Sequence, residues 1–336
     1  MRESAMTYHE FCRLLASRYD DGEAKAIARM VLEVAFGLSM TEVMCGAVEQ
    51  LPADEQQRLR MMADRLLEGQ PVQYVIGLAD FGPRQFIVSP GVLIPRPETY
   101  ELCQWVRVES GEKRVESGEW REERSEWREE RLLKILDIGT GSGCIACTLA
   151  AELPGAQVTA WDISEQALSV ARQNAERLQV QVAFEQCDIL SVTTEKLSSL
   201  HSPLSTFSSP LSTLHSPLST LHSPLSSHTW DLIVSNPPYI CQQEAALMAP
   251  HVLEHEPHLA LFVPDDDPLL FYHAIARFAA EALKPGGQLF FEVNQLYADE
   301  TEQMLQSFGF TQTETRCDQF GKPRFVKGKT PKLQKR

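Results

Sequence analysis

The 336-residue chain reads as an α/β protein: a doubly wound sheet closed by a C-terminal antiparallel hairpin and preceded by a small helical bundle. Three observations predict this. Short apolar runs alternate with helical periodicity over 132–328. One of those runs leads through a glycine-rich turn into a helical stretch. Residues 5–75, by contrast, carry helical periodicity without strand signals.

The helical patterns come first. Phe11-Cys12-x-Leu14-Leu15, Ala28-x-x-Val31-Leu32-x-x-Ala35-Phe36 and Leu59-x-x-Met62-x-x-Arg65-Leu66-Leu67 each place apolar residues on one face. Pro52 suits the first turn of the last of these helices. An N-terminal domain over 1–75 follows, whose bland role is packing. Residues 76–106 then suggest a β-hairpin linker, with turns at Gly77, Gly82-Pro83 and Pro90-Gly91.

The sheet opens with Leu132-Leu133-Lys134-Ile135-Leu136, running into Asp137-Ile138-Gly139-Thr140-Gly141-Ser142-Gly143 and a helix from Cys144 to Glu152. A strand, a glycine turn and a helix begin a nucleotide-binding unit. The glycines alternate as G-x-G-x-G behind an acid, unlike the G-x-G-x-x-G of dinucleotide sites. Glycines admit a ligand close to the backbone, and Asp137 suits a cationic or amino partner better than a phosphate. About nineteen residues beyond Gly143, Val158-Thr159-Ala160-Trp161-Asp162 reads as a second strand ending in an acid placed for ribose hydroxyls. A third strand, 180–184, precedes Cys187-Asp188, whose carboxylate could accept from an adenine amino group.

The fourth strand, Asp231-Leu232-Ile233-Val234-Ser235, ends in Asn236-Pro237-Pro238-Tyr239. Neither proline has an N–H, and each holds the residue before it extended, so the strand stops in a stiff elbow. Open α/β sheets place their ligand crevice at that end of a strand. An amide oxygen and a neighbouring carbonyl can accept both protons of a planar –NH2 group while a ring packs on its face. The competing reading is a structural Pro-Pro loop. Leu283-Lys284-Pro285-Gly286-Gly287, a strand over 288–293 and a terminal hairpin around Gly321 complete the sheet.

In this combination the chain resembles class I S-adenosylmethionine-dependent methyltransferases. More narrowly it resembles the glutamine N5-methyltransferases of peptide chain release factors, the PrmC/HemK family. Pro71-Val72-Gln73-Tyr74-Val75-Ile76-Gly77, Leu93-Ile94-Pro95-Arg96-Pro97-Glu98-Thr99 and Glu254-His255-Glu256-Pro257 narrow the resemblance, which covers residues 5–105 and 132–328. Tyr100 stands where that family usually has an acid, and Val293-Asn294 where it usually has Ile-Gly. The resemblance implies a Rossmann-like methyltransferase sheet and S-adenosyl-L-methionine as cofactor. Asp137, Gly139, Thr140, Gly141, Ser142 and Gly143 would hold its methionine part, Asp162 its ribose, and Asp188 with Ile189 its adenine, with Asn236 bordering it. Asn236, Pro237 and Tyr239 would be catalytic, and with Pro238 would bind the glutamine of a Gly-Gly-Gln loop. The helical domain would help grip the release factor. An N6-adenine DNA or RNA methyltransferase is the alternative, since the same elbow serves an exocyclic amine. A non-catalytic cofactor-binding protein is a third reading.

A net charge of −15 argues against a duplex nucleic-acid substrate, and no stable nucleic-acid partner is expected. The basic run Lys322, Arg324, Lys327, Lys329, Lys332, Lys335 and Arg336, with a tail over 329–336, reads as a solvated end. No apolar run reaches a membrane span of ~18 residues, and Met1-Arg2-Glu3-Ser4 lacks the core of a signal peptide. The expected location is cytoplasmic. The eight cysteines are scattered and read as reduced thiols. Cys144-x-x-Cys147 has no second pair and reads as core, so no metal is expected.

Two segments repeat every seven residues. Residues 107–131 read RVESGEK, RVESGEW, REERSEW, REER; residues 197–227 read LSSLHSP, LSTFSSP, LSTLHSP, LSTLHSP, LSS. The first lacks an apolar heptad seam, and the second carries proline in every full unit, so neither is a coiled coil. Both are expected to be disordered surface inserts, which cost little because closure entropy rises only ~0.6 kcal/mol per doubling of length. His201, His215, His222 and His228 lie in or beside the second block and are not read as ligands. The seven-base unit CTCTCCA spells Leu-Ser-Thr-Leu-His-Ser-Pro over three copies, and its reverse complement spells Trp-Arg-Val-Glu-Ser-Gly-Glu. We therefore expect one short DNA repeat inserted in opposite orientations, which sequencing the gene will test. Codons unrelated to that unit would refute it.

Overall fold

The computed structural model describes residues 5–114, 120–122, 132–192 and 229–332. The N-terminal helices are α1 (Tyr8–Leu15), α2 (Asp21–Met30), α3 (Met40–Met44), α4 (Ala53–Leu67) and α5 (Val72–Ile76). Their starts are local chemistry. Thr7 with Glu10 and Ser39 with Glu42 form capping boxes, and Asp20 accepts from Gly22 and Glu23. Phe11, Leu15, Leu32, Leu59 and Leu66 are fully buried together, as the periodicity predicts. Two details differ. Pro52 stands just before α4 rather than inside its first turn, and α2 runs on into a π-helical turn at Val31–Ala35.

The linker hairpin pairs β1 (Leu78–Phe81) with β2 (Arg84–Ile87). Gly82 makes the turn at φ +56°, and a side chain there would collide with the Tyr100 ring at 2.5 Å. Helix α6 (Pro97–Glu109) continues three residues into the first repeat block, so its Arg107 lies inside the fold. Glu152 receives Arg107, Arg84 at 2.6 Å and the Tyr100 hydroxyl at 3.3 Å. Tyr100 thus serves packing. Beyond α6, β3 (Glu112–Arg114) and β4 (Trp120–Glu122) pair as a short antiparallel ladder. The rest of that block and all of 197–227 lie outside the described residues, as do His201, His215, His222, His228, Lys335 and Arg336.

The main sheet contains β5 (Lys134–Ile138), β6 (Gln157–Asp162), β7 (Val182–Gln186), β8 (Trp230–Ser235), β11 (Leu283–Glu292), β12 (Thr311–Cys317) and β13 (Pro323–Lys329). Their order is β12-β13-β11-β8-β5-β6-β7, with the terminal pair antiparallel. A separate two-residue pairing joins β9 (Ile240–Cys241) to β10 (Phe262–Val263). The helices are α7 (Cys144–Glu152), α8 (Glu165–Leu178), α9 (Pro250–His255), α10 (Leu270–Ala282) and α11 (Ala298–Ser307). Alternation along the strands divides the core. Leu136, Ile138, Ile233, Leu289 and Phe291 pack with α10 and α11, whereas Ile135, Leu232, Val234 and Phe290 pack with α6 and α7. The doubly wound reading therefore stands.

Some edges move. The third strand is 182–186, not 180–184, because Gln179 turns left-handed at φ 55° and Val180 still closes α8 onto Ala175. β11 starts at Leu283 and carries an irregularity before Gln288. The basic end is not a free tail through Lys327: Arg324 pairs with Asp318, and Lys327 with Glu109 and Glu314. Burial pushes the Cys144 thiol up to about 12 and raises Cys147 as well, so both stay neutral. Among the described residues no cluster could hold a metal ion, and no helix is long and apolar enough to cross a membrane.

Replacing Glu152 by Ala should lower stability by about 3–5 kcal/mol, because it removes the carboxylate shared by two largely buried arginines. The exposed Arg29–Glu33 pair should yield only about 0.3–0.5 kcal/mol when Arg29 is replaced by Ala. Urea denaturation of both variants checks the contrast.

Candidate active site

Every functional candidate lies at or just beyond the C-terminal ends of the parallel strands. β5 and β8 are paired with Ile138 opposite Ser235, and the Ser235 hydroxyl donates to the Ile138 carbonyl at 2.6 Å. The glycine turn and the Asn-Pro-Pro-Tyr elbow therefore leave adjacent strands side by side.

Positive φ at Gly139, Gly141 and Gly143 shapes the turn. A Cβ at Gly139 or Gly141 would meet nothing within 4 Å, so that side of the loop faces open space. At Gly143 it would lie 3.0 Å from Ala171 Cβ, which brings the loop against α8. Asp137 is fully buried: Oδ2 accepts from the Thr140 hydroxyl at 2.6 Å and Ala146 N–H at 3.1 Å, while Oδ1 has no partner. Burial raises it to about 7. Asp162 accepts from Gly141 N–H and Ser164 N–H, both at 2.8 Å, which draws the end of β6 to the turn. Burial again raises its carboxyl, against the pull of those N–H groups. Cys187 N–H donates to the Asp162 carbonyl, so Asp188 follows directly beside Asp162. Asp188 accepts from Leu190 N–H at 3.0 Å, and Ile189 is buried in the core.

The elbow borders a cleft of about 180 Å³ lined by Asn236, Pro237 and Tyr239, by Leu93 and Arg96 of the linker, and by Met248, Val252 and Leu261 opposite. Pro238 follows Pro237, half-buried and outside that lining. Asn236 donates from Nδ2 to Thr99 Oγ1 at 3.1 Å. Among the described residues nothing donates to Asn236 Oδ1 or to the Pro237 carbonyl. The Tyr239 hydroxyl donates to Glu292 Oε1 at 3.2 Å, and burial followed by the Glu292 charge raises its pKa. Glu292 is itself buried, and burial raises it to about 7.

Five residues here carry roles that the sequence did not assign. Thr99 and Glu292 hold the elbow from below. Glu256 is buried and accepts from Arg96 at 2.7 Å and from Ile94 N–H at 3.3 Å, fixing the rim of the cleft. Asn174, fully buried, accepts from Ile87 N–H and donates to the Ile87 and Ser142 carbonyls, tying the linker to the glycine turn. Asn294 donates to the Tyr239 carbonyl at 3.2 Å and to Glu244 at 3.0 Å, so this departure from the family pattern has a structural use. The family-like stretches 93–99 and 254–257 pointed to Arg96, Thr99 and Glu256 without saying what they touch.

Residues 7–77 match the family model described as the PrmC N-terminal domain, and residues 129–208 match a methyltransferase domain. The chain is similar to the release factor glutamine methyltransferase of Bacteroides thetaiotaomicron, 37% identical over 92% of this chain and 93% of that one. It is 35% identical to the enzyme of that name from Flavobacterium psychrophilum, over 95% and 96%. The enzyme of that name from Streptococcus pneumoniae is 31% identical, over 91% of each.

The Glu292 carboxyl gives a stability prediction. Its folded pKa is raised from 4.5 to about 7, so the fold retains a proton that the unfolded chain releases. That contribution is complete below the unfolded value and is lost as pH rises through the folded one. The melting temperature of the cofactor-free wild type, relative to Glu292→Gln, should therefore fall between about pH 5 and about pH 8. A constant difference would contradict the assignment.

Proposed function

This chain belongs to the release factor glutamine methyltransferase family, and from that premise we propose that it methylates the side-chain amide nitrogen (N5) of the glutamine in the Gly-Gly-Gln loop of peptide chain release factors, with S-adenosylmethionine as donor. One observation carries the site assignment. Asn236 Oδ1 and the Pro237 carbonyl are two acceptors without donors among the described residues, on a proline-stiffened elbow beside the glycine turn.

The turn fits the cofactor. Gly139 and Gly141 leave open space where side chains would stand, and the orphaned Asp137 Oδ1 is an acceptor suited to an amino group. Asp162 and Asp188, brought together by the ends of β6 and β7, suit ribose hydroxyls and an adenine amino group, and the buried Ile189 follows Asp188. When bound, S-adenosylmethionine supplies a methyl carbon already activated by its sulfonium.

The protein must then manage a poor nucleophile, because an amide nitrogen shares its lone pair with its carbonyl. Asn236 Oδ1 and the Pro237 carbonyl would each accept one proton of the substrate –NH2 group and fix its nitrogen in line for transfer. Positive charge developing on that group strengthens both hydrogen bonds, so they favour the transition state over the bound substrate. Tyr239 spends its hydroxyl on Glu292 and offers its ring to the plane of the substrate amide. The proton can leave after transfer, so no strong general base is needed at the nitrogen. Pro238 keeps the elbow stiff. A substrate from the translation machinery supports a cytoplasmic location.

Mass spectrometry after incubation with S-adenosylmethionine and a release factor from the same source should show one methyl gained on that glutamine. With Asn236→Ala, turnover should fall by at least about 10²–10³-fold while cofactor affinity weakens only modestly. Methyl transfer to adenine in nucleic acid, with none to the release factor, would overturn the substrate assignment.

A further inference from the structure

We propose that Glu292 is a positioning residue of the acceptor site: acting through the Thr99 hydroxyl, it decides which end of the Asn236 amide faces the cleft. This rests on the reading of Asn236 as the group that accepts from the substrate –NH2.

Glu292 is 1% exposed, and its two oxygens face two hydroxyls: Oε2 lies 2.7 Å from Thr99 Oγ1 and Oε1 lies 3.2 Å from the Tyr239 hydroxyl. An ionised carboxylate can only accept. Thr99 must therefore turn its one proton to Glu292, and its remaining lone pairs face Asn236 at 3.1 Å. A donor is required at that contact, so Nδ2 points to Thr99 and Oδ1 is left for the cleft. Turning the amide over would set Oδ1 against the Thr99 oxygen with no proton between them, and Thr99 is 2% exposed, with little water to mediate. The backbone alone does not choose, because an asparagine amide is nearly symmetric in shape.

A proton on Glu292 Oε2 would reverse the chain. The carboxylic acid would donate to Thr99, the Thr99 proton would turn to Asn236, and Oδ1 would be drawn inward. The cleft would then present Nδ2, a donor, to a substrate –NH2 that also donates. Only the ionised form therefore leaves the acceptor outward.

The groups around Glu292 set where that change falls. Thr99, Glu98 and Cys103 face it from α6, Tyr239 from the elbow, Cys144 from α7, Tyr272 from α10 and Arg324 from β13. The Tyr272 hydroxyl donates to the Glu292 backbone carbonyl at 3.1 Å rather than to the carboxylate. Burial outweighs the Thr99 and Tyr239 hydrogen bonds and the attraction of Arg324, holding the carboxyl at about 7.

The test measures release factor methylation by the full chain across about pH 5.5–8.5, with S-adenosylmethionine affinity from calorimetry and melting temperatures as folding controls. Wild-type kcat should rise about tenfold per pH unit below about 7 and level above it. Thr99→Val should lower kcat by about 10- to 100-fold with cofactor affinity unchanged within about twofold, and should lose the inflection. Thr99→Ser, which keeps the hydroxyl, should recover most of the rate and the inflection. Glu292→Gln, which cannot ionise, should give a flat profile, and it decides the matter independently if Thr99→Val does not fold. Wild-type kcat and inflection in Thr99→Val, or the same inflection in Glu292→Gln, would overturn this inference alone. No glutamine methylation by the wild type at any pH would overturn the underlying reading and this inference with it.

Discussion

The parallel pairing of β5 with β8, Ile138 beside Ser235, is the constraint on which the site depends. Each strand is buried on both faces, and each ends in a segment that cannot continue a ladder: a glycine turn on one, two prolines on the other. A slip of one residue would send Ile233 and Val234 to the wrong faces, so packing enforces the register strongly. The buried Ser235 hydroxyl adds a hydrogen bond to the Ile138 carbonyl at the last rung. The glycine turn and the Asn-Pro-Pro-Tyr elbow are neighbours because two hydrophobic strands agree on register.

A second tier of buried polar groups holds what the sheet does not reach. Asn174 satisfies both backbone groups of Ile87 and the Ser142 carbonyl, so the linker hairpin and the glycine turn move as one piece. Glu256 fixes Ile94 and Arg96, and Glu292 holds Thr99 and Tyr239. Such networks are costly when half-made and rigid when complete. All three bridge segments far apart in the chain, and those of Glu256 and Glu292 reach residues that line the cleft.

That separation explains what could be read in advance. The glycine turn, the Asn-Pro-Pro-Tyr elbow and the strands before them were legible because local chemistry dictates them: φ > 0 at the glycines and no N–H at the prolines. The helical domain was legible from its periodicity, although Leu14 within one apolar group proves exposed. The partners of Thr99, Asn174 and Glu292 were not legible, since one threonine, one asparagine or one glutamate on an element carries no local signal of what it touches. The left-handed Gln179 that delays β7 was hidden for a related reason: glutamine seldom takes that conformation, so nothing in its type announces it. The extension of α6 into a repeated segment was obscured by the repeat itself.

The place of β13 in the sheet has a consequence for synthesis. It follows every other strand in chain order yet lies between β11 and β12, contributing Phe325 and Val326 to the two cores. On the ribosome the earlier strands emerge first. Until β13 arrives, β11 has a bare antiparallel edge beside the apolar run Leu289, Phe290 and Phe291. An unpaired apolar edge is a template for pairing with another chain. A nascent or prematurely terminated product therefore leaves that edge bare, and the sheet is complete only when its last strand is in place.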